Sequence, residues 1–345
     1  DNNNNNNNNN IDEFESKSNL KDKFFMLPAS GSSPSKKWSE SSANISDMIA
    51  SGLFDIAQGK LHRQFGIVNF KPLKTYFMNI YTSSHSYLNL MPNCSDISVG
   101  LRKNPDKKNE YLPHISLSIQ HLNDYLKNGL ELTTQGNFEE AIHEFRKILH
   151  IIPLIDIINN NELKEIKQLI STSSEYINAL RCKLLANKEK DNKNDKGQRF
   201  FELLCYFTHY KIQDGHLFGA LYTAMKQGYK TGNFKTTQFI CQRLLELAVS
   251  GSISSSDNSQ KYIKQAQKVL QKCQQKGNDS MNLEYKANNF NTLCAISFKP
   301  ISIDESYVKS PYCHTIFKKE YNAQLSPVCQ LVKIGSNADG VIITK

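Results

Sequence analysis

Four side chains near the end of this 345-residue chain are of types that bind metal ions: Cys294, the adjacent pair Cys313 and His314, and Cys329. Structural zinc takes four such ligands at tetrahedral corners, usually in pairs separated by two to four residues. These four are scattered, and adjacent Cys and His side chains are hard to direct at one ion. Buried free thiols stand beside zinc as the simpler state, because an unpaired cysteine packs as a small apolar residue. His62, His143 and His209 lie inside helical patterns, where a hydrogen-bonded structural imidazole is the expected role. His209 follows Tyr206-Phe207-Thr208 at a helix end, a place for capping the last carbonyls. The chain has no G-x-x-x-x-G-K-[ST] or G-x-G-x-x-G phosphate loop, no H-E-x-x-H, no G-x-S-x-G and no kinase signature set. The expectation is a non-enzymatic protein with no catalytic residues, no cofactor and no small-molecule substrate.

Charge and composition narrow the partners. The net charge is +9 and the pI about 9.0. The basic excess lies in 102–108, 181–199 and 261–276, each diluted by Asn, Gln, Asp or Glu and lacking interleaved aromatics for base stacking. These stretches read as solvated faces rather than a nucleic-acid surface, and remain compatible with weak attraction to anionic membrane or acidic partners. No apolar run approaches the ~20 residues of a membrane span; the most apolar stretch, 148–158, is interrupted by His150, Pro153 and Asp156. Eight cysteines without a C-x-x-C, and no secretory cue, fit reduced thiols in a cytosolic protein. Asp1 is followed by nine asparagines and then a Ser/Pro-rich stretch. So polar a tract buries too little apolar surface to offset its ordering entropy, and residues 1–45 are expected to be disordered. A chain that begins with Asp is expected to be a fragment of something longer.

The elements that must position any site follow from periodicity. Apolar residues at Met48, Ile49, Leu53, Phe54, Ala57 and Leu61 predict a helix over 46–61 with Ser46 or Asp47 as its cap. A short strand and a helical turn are expected in 66–81, and a long loop in 87–113. Helices are predicted over 115–134, 138–151, 161–187, 198–210, 214–230, 234–249 and 259–276, joined by short connections that imply antiparallel neighbours. After Gly277 the runs 295–298, 328–334 and 341–344 read as short strands of a small β-rich unit. The divisions are 1–45, 46–114, 115–277 and 278–345. The fold class is mainly α: an irregular α-solenoid of TPR-like helical hairpins with a small β-rich C-terminal unit.

One internal repeat supports the hairpins. Gly52-Leu-Phe54-Asp-Ile-Ala57, Gly136-Asn-Phe138-Glu-Glu-Ala141 and Gly232-Asn-Phe234-Lys-Thr-Thr237 share the form G-x-F-x-x-small. The glycine permits a sharp turn, the aromatic (Phe54, Phe138, Phe234) anchors the next helix, and the small residue lets a neighbour approach. The copies are 84 and 96 residues apart, far from the ~34 of a regular TPR array.

The segment Leu132-Thr-Thr-Gln-Gly-Asn-Phe-Glu-Glu-Ala-Ile-His-Glu-Phe-Arg-Lys-Ile-Leu149 resembles the C-terminal domain of the coatomer alpha subunit. Further blocks follow in that family's order: Lys167–Ile170 with Glu175–Ile177, Tyr206–His209, Gly232–Thr236 with Arg243–Leu247, and an end block of Leu283–Tyr285, Asn289-Phe290, Cys294-Ala295 and Phe298–Ile301. The likeness spans 46–345 and implies a structural scaffold of the COPI vesicle coat, acting in retrograde Golgi-to-ER and intra-Golgi transport. It implies binding to the coatomer epsilon subunit and other coatomer subunits, in the cytoplasm and peripherally on Golgi membranes and COPI vesicles. The family's cargo-reading propellers have no counterpart here. The family also carries Cys-Pro and a second Cys five residues on, where this chain has Ser310-Pro311 and Ile316, with Cys313 between them. An insertion falls at 322–327 before Cys329. The alternative reading is a basic TPR-like adaptor for another protein or RNA. Candidate partner-binding residues are Phe70, Tyr76, Tyr81, Phe298, Phe317 and Tyr321, each of which could equally pack a core.

Overall fold

The computed structural model describes residues 36, 40, 44–88, 92–93, 97–101, 113, 115, 117–190, 197–250, 257–287 and 292–343. Most of the segment expected to be disordered, 1–45, lies outside the described residues. The fold is mainly helical, as predicted. Its helices are α1 (Ile45–Ala50), α2 (Phe54–Phe65), α3 (Lys74–Ser83), α4 (Ile119–Gln135), α5 (Phe138–Ile151), α6 (Asn160–Glu189), α7 (Gln198–Phe207), α8 (Asp214–Lys230), α9 (Phe234–Val249) and α10 (Asp257–Lys276). Strands β1 (His85–Leu88) and β2 (Ile97–Leu101) form one antiparallel pair; β3 (Tyr307–Lys309) and β4 (Ile316–Lys318) form another.

The described residues divide into two compact units. One draws on the segments up to Leu122, His150–Ile166 and Asn337 onward; the other on Asn123–Leu149 and Lys167–Ser336. In the first, Ile49, Leu61, Ile67, Leu73 and Ile80 are fully buried. Asp156 receives hydrogen bonds from the Asn44 amide (3.0 Å) and the Ser46 hydroxyl (2.9 Å). Ser46 thus serves Asp156 instead of capping α1, whose N-cap is Asn44. The helix expected over 46–61 is broken at Gly52, and the strand expected near 66–70 is reduced to a bridge position at Ile67. Part of the loop expected over 87–113 is instead the β1–β2 pair. The pairing carries a register shift between Ser86 and Tyr87.

In the second unit, α7, α8, α9 and α10 pack in succession as antiparallel neighbours. Their core includes Phe201 and Leu204 of α7, Leu221 and Met225 of α8, and Ile240 and Leu244 of α9. Gly228 permits the tightest approach in this layer. A Cβ there would lie 2.7 Å from the Phe201 ring and would also collide with Thr237.

The three glycine turns of the repeat are built alike. Gly52, Gly136 and Gly232 have φ of 81°, 86° and 75°. In each, the glycine N–H donates three residues back and the next N–H donates five back: Leu53 to Met48 at 2.9 Å, Asn137 to Leu132 at 3.0 Å, Asn233 to Gly228 at 2.9 Å. This pair of hydrogen bonds satisfies the last carbonyls of one helix, and the following residue opens the next. The N–H groups of Ala57, Ala141 and Thr237 then each donate four residues back at 3.0 Å.

The anchoring role is distributed differently from the sequence expectation. Phe54, Phe138 and Phe234 are only half-buried, whereas Ala57, Ala141 and Thr237 are fully buried. A ring at the first helical position sits at the rim of the interface, and the residue one turn on faces its centre. Phe138→Ala is therefore expected to cost about 2 kcal/mol in urea unfolding, below the ~3–5 kcal/mol of a buried phenylalanine. Gly136→Ala is expected to cost about 1–2 kcal/mol, because alanine must then adopt the left-handed conformation.

Candidate functional site

Each stretch of short strand expected after Gly277 is something else. Around Cys294, Ser310 and Ser326 the chain makes single turns in which the fifth residue donates its N–H to the first carbonyl. The bonds are Phe298 to Cys294 (2.8 Å), His314 to Ser310 (3.1 Å) and Gln330 to Ser326 (3.0 Å). The fifth residues are left-handed without being glycine, with φ of 49°, 53° and 61°. A left-handed residue cannot continue a strand, which is why 295–298 and 328–334 curl into knuckles. Their apolar residues Ala295, Phe298, Val328, Leu331, Val332 and Ile334 are all buried. The last expected strand, 341–344, is irregular as far as Gly340–Ile343 is described.

These knuckles point backbone carbonyls inward, where each needs a donor. Arginines from three helices supply donors to two of the three turns. Arg181 on α6 donates to Ala295 O at 2.8 Å. Arg199 on α7 donates to Ser297 O (2.9 Å) and Phe298 O (3.0 Å), and ion-pairs with Glu202 at 3.6 Å. Arg146 on α5 donates to Pro327 O (2.9 Å) and Val328 O (3.1 Å). In the reverse sense, the buried Tyr312 hydroxyl donates to Leu149 O at 2.7 Å. Burial lowers the Arg181 pKa to about 10 and lowers that of Arg146 as well.

The same economy of donors holds the helices. Arg243 on α9 caps the end of α7 by donating to Thr208 O (2.8 Å) and Thr208 Oγ1 (2.9 Å). The expected cap, His209, packs its ring beside Tyr285 instead, with Nε2 2.7 Å from the Tyr285 hydroxyl. Burial and the neighbouring Arg243 push the His209 pKa down to about 3, so the imidazole is neutral at physiological pH. Asp279 meets the start of α9 through the Thr236 N–H (3.0 Å) and hydroxyl (2.8 Å). His216 bridges the Thr134 and Tyr176 hydroxyls at 2.9 Å each, tying α4 and α6 to α8. His62 meets the Ile67 carbonyl at 3.1 Å, and His143 is exposed.

The four metal-type residues do not converge. Cys294, Cys313 and Cys329 are buried and outside any disulfide, but His314 is exposed. Among the described residues, no three His, Cys, Asp or Glu side chains gather where they could hold a metal ion. Cys294 instead accepts the Lys318 N–H at 3.4 Å. Cys313 Sγ lies 3.1 Å from Ser310 Oγ and 3.4 Å from Thr315 Oγ1. Hydrogen bonding from Cys329, Ser310 and Thr315 lowers the Cys313 pKa, whereas burial raises that of Cys329.

The predicted partner-binding residues separate into two sets. Phe298 and Phe317 are core residues, 3% and 0% exposed, and Tyr321 is half-buried. Tyr81 is half-buried and packs edge-on against Phe54 with centroids 5.6 Å apart. Tyr76 is half-buried, and Phe70 lines an open apolar cleft of about 440 Å³ with Phe54, Phe77, Met78, Lys71 and Lys74. The arginines escaped sequence reading because nothing in a helical pattern marks which basic residue turns inward. A signal did exist for the knuckles: Ser310-Pro-Tyr-Cys-His and Ser326-Pro-Val-Cys-Gln are one motif written twice.

The chain is similar over residues 3–345 to the family described as the C-terminus of the coatomer (COPI) alpha subunit. It is 33% identical over 338 residues to coatomer subunit alpha-1 of Arabidopsis thaliana, covering 96% of this chain and 27% of the relative. Coatomer subunit alpha-3 of Oryza sativa subsp. japonica is 33% identical over 324 residues, with 92% and 25% covered. Coatomer subunit alpha of Dictyostelium discoideum is 32% identical over 336 residues, with 96% and 26% covered. The chain thus spans about a quarter of the length of these relatives.

Removing Arg199 takes away two charged hydrogen bonds and leaves two inward carbonyls without that donor. Arg199→Ala is expected to lower unfolding free energy by about 3 kcal/mol, measured by denaturant titration. Arg199→Lys should not restore it, because a single ammonium lacks the guanidinium's planar fork.

Proposed function

Because the chain belongs to the family formed by the C-terminal regions of coatomer (COPI) alpha subunits, we propose that it is a structural scaffold module of a COPI-type coat that holds the epsilon subunit. It acts in vesicle-mediated transport from Golgi to ER and within the Golgi, in the cytoplasm and peripherally on Golgi and vesicle membranes. The match across residues 3–345 is the observation that carries this reading. The use of charge in the second unit supports a scaffold over an enzyme: Arg146, Arg181, Arg199 and Arg243 hold backbone carbonyls, and His209 is neutral among its neighbours. No helix among the described residues is long and apolar enough to cross a membrane. That agrees with peripheral attachment through the coat.

The contact face we propose includes Phe70 and Tyr76, beside Met78, which is 45% exposed. Lys71 and Lys74 on the same cleft would complement an apolar segment of the epsilon subunit flanked by acidic residues. Phe298 and Phe317 stay in the core and contribute by holding the C-terminal knuckles.

Mixing the 345-residue chain with an epsilon subunit should give a stable complex at micromolar concentration in size-exclusion chromatography. Phe70→Ala combined with Met78→Ala should weaken it about tenfold or more, equivalent to ~1.4 kcal/mol. Absence of a complex, together with salt-sensitive RNA binding, would favour the basic adaptor instead.

A further inference from the structure

Helix α6 carries Ser171, Ser174, Glu175 and Asn178 at i, i+3, i+4 and i+7, so the four share one face. Where a helix packs inward, such a face is ordinarily apolar. Here its centre is polar and yet closed off from solvent, with Ser174 5% exposed and Asn178 6%. All four residues line one cleft of about 410 Å³ in the second unit, within the ~300–1,000 Å³ of small-ligand sites. Its other walls include Tyr210, which follows α7, and Thr315, which precedes β4.

Two buried oxygens on this face have no hydrogen-bond partner among the described residues: Ser174 Oγ and Asn178 Oδ1. A serine inside a helix can turn its hydroxyl to the carbonyl four residues back, and Ser174 does not. Asn178 is oriented by its Nδ2, which donates to Thr315 Oγ1 at 3.5 Å. Its Oδ1 can only accept, whereas the Ser174 hydroxyl can also donate. Glu175 adds a carboxylate, one oxygen of which accepts the Lys211 N–H at 3.1 Å. Charge of either sign fits this lining poorly. An anion would meet the Glu175 carboxylate and the Asn178 oxygen. A cation would meet Lys211 in the cleft, and Arg181, which bonds the Ala295 carbonyl of the same lining at 2.8 Å.

We propose that this cleft binds a neutral primary carboxamide, the group that ends an asparagine or glutamine side chain. One of its N–H bonds meets Asn178 Oδ1, the other meets the Glu175 carboxylate, and its carbonyl accepts the Ser174 hydroxyl. Both bare oxygens are then paired, and no new charge is buried. The residues differ from those of the Phe70 cleft, and the reading does not depend on what fills that one.

Propionamide is the probe of the group itself, titrated into the isotope-labelled full chain and followed by NMR. Saturable shifts of the Asn178 side-chain amide signals are expected at millimolar concentration, as befits so small a ligand. N,N-dimethylpropionamide lacks N–H donors and should give no saturable shift. Ser174→Ala should weaken propionamide about fivefold, the loss of one hydrogen bond, without lowering the urea midpoint of unfolding. A hydroxyl that the fold itself needed would lower that midpoint when removed. L-glutamine and acetyl-glutamine methylamide distinguish the source of the group. Tighter binding of the first assigns a free amino acid, tighter binding of the second a peptide side chain, and either upholds the carboxamide. No saturable shift with propionamide, an equal response to the dimethyl amide, or a lowered midpoint in Ser174→Ala would overturn the proposal. The comparison of the two amides uses the wild type alone, so it does not depend on how any variant folds.

Discussion

The C-terminal knuckles depend on donors they do not contain. A single turn closed by a left-handed, non-glycine residue carries roughly 1 kcal/mol of backbone strain, and it leaves carbonyls that no strand or helix partner reaches. A buried carbonyl without a donor costs about 1–3 kcal/mol. Three such turns would be unfavourable on their own. Arg181 and Arg199 meet the turn at Cys294, and Arg146 meets the turn at Ser326. Tyr312 fastens the middle turn by its own hydroxyl. Guanidinium suits this work because its charge strengthens each bond and its fork spans two acceptors.

That dependence explains the place of the helical hairpins. Arg146, Arg181 and Arg199 stand on α5, α6 and α7, and their reach is useful only if those helices are held in fixed register. The turn at Gly136 starts α5 directly from α4, and its counterpart at Gly232 starts α9 from α8, each by paired backbone bonds without a loop to flex. Close approaches at Gly228 and Thr237, and the His216 bridge between Thr134 and Tyr176, lock the layers further. The line from local turn to helix layer to knuckle is continuous, and each step fixes the geometry of the next.

Much of the helical part was legible because its signals are local. Helices α5, α8 and α9 have the bounds read from periodicity and glycine breaks, and the neighbours differ by a few residues at their ends. The small β unit is there, as β3 and β4, but the strand positions expected within it were misplaced for a physical reason. Apolar residues such as Val328, Leu331 and Val332 imitate a buried strand, and only the left-handed Gln330 shows that the chain curls. Left-handed conformations are expected at glycine, and here Phe298, His314 and Gln330 adopt them because the helices over-determine the turns. The aromatic candidates divided in the same way. Phe298 and Phe317, which in sequence could serve either as surface anchors or as core, are core, while Phe70 retains an open face.

The central claim is that the knuckles and the helices bearing Arg146, Arg181 and Arg199 form one cooperative structure. Native-state hydrogen exchange at the amides of Phe298, His314 and Gln330 tests it most directly. Each donates the bond that closes a knuckle. If the claim holds, they exchange with the same opening free energy and denaturant dependence as core amides of α6 and α7. Fast exchange of the three, independent of denaturant while the helices stay protected, would contradict it.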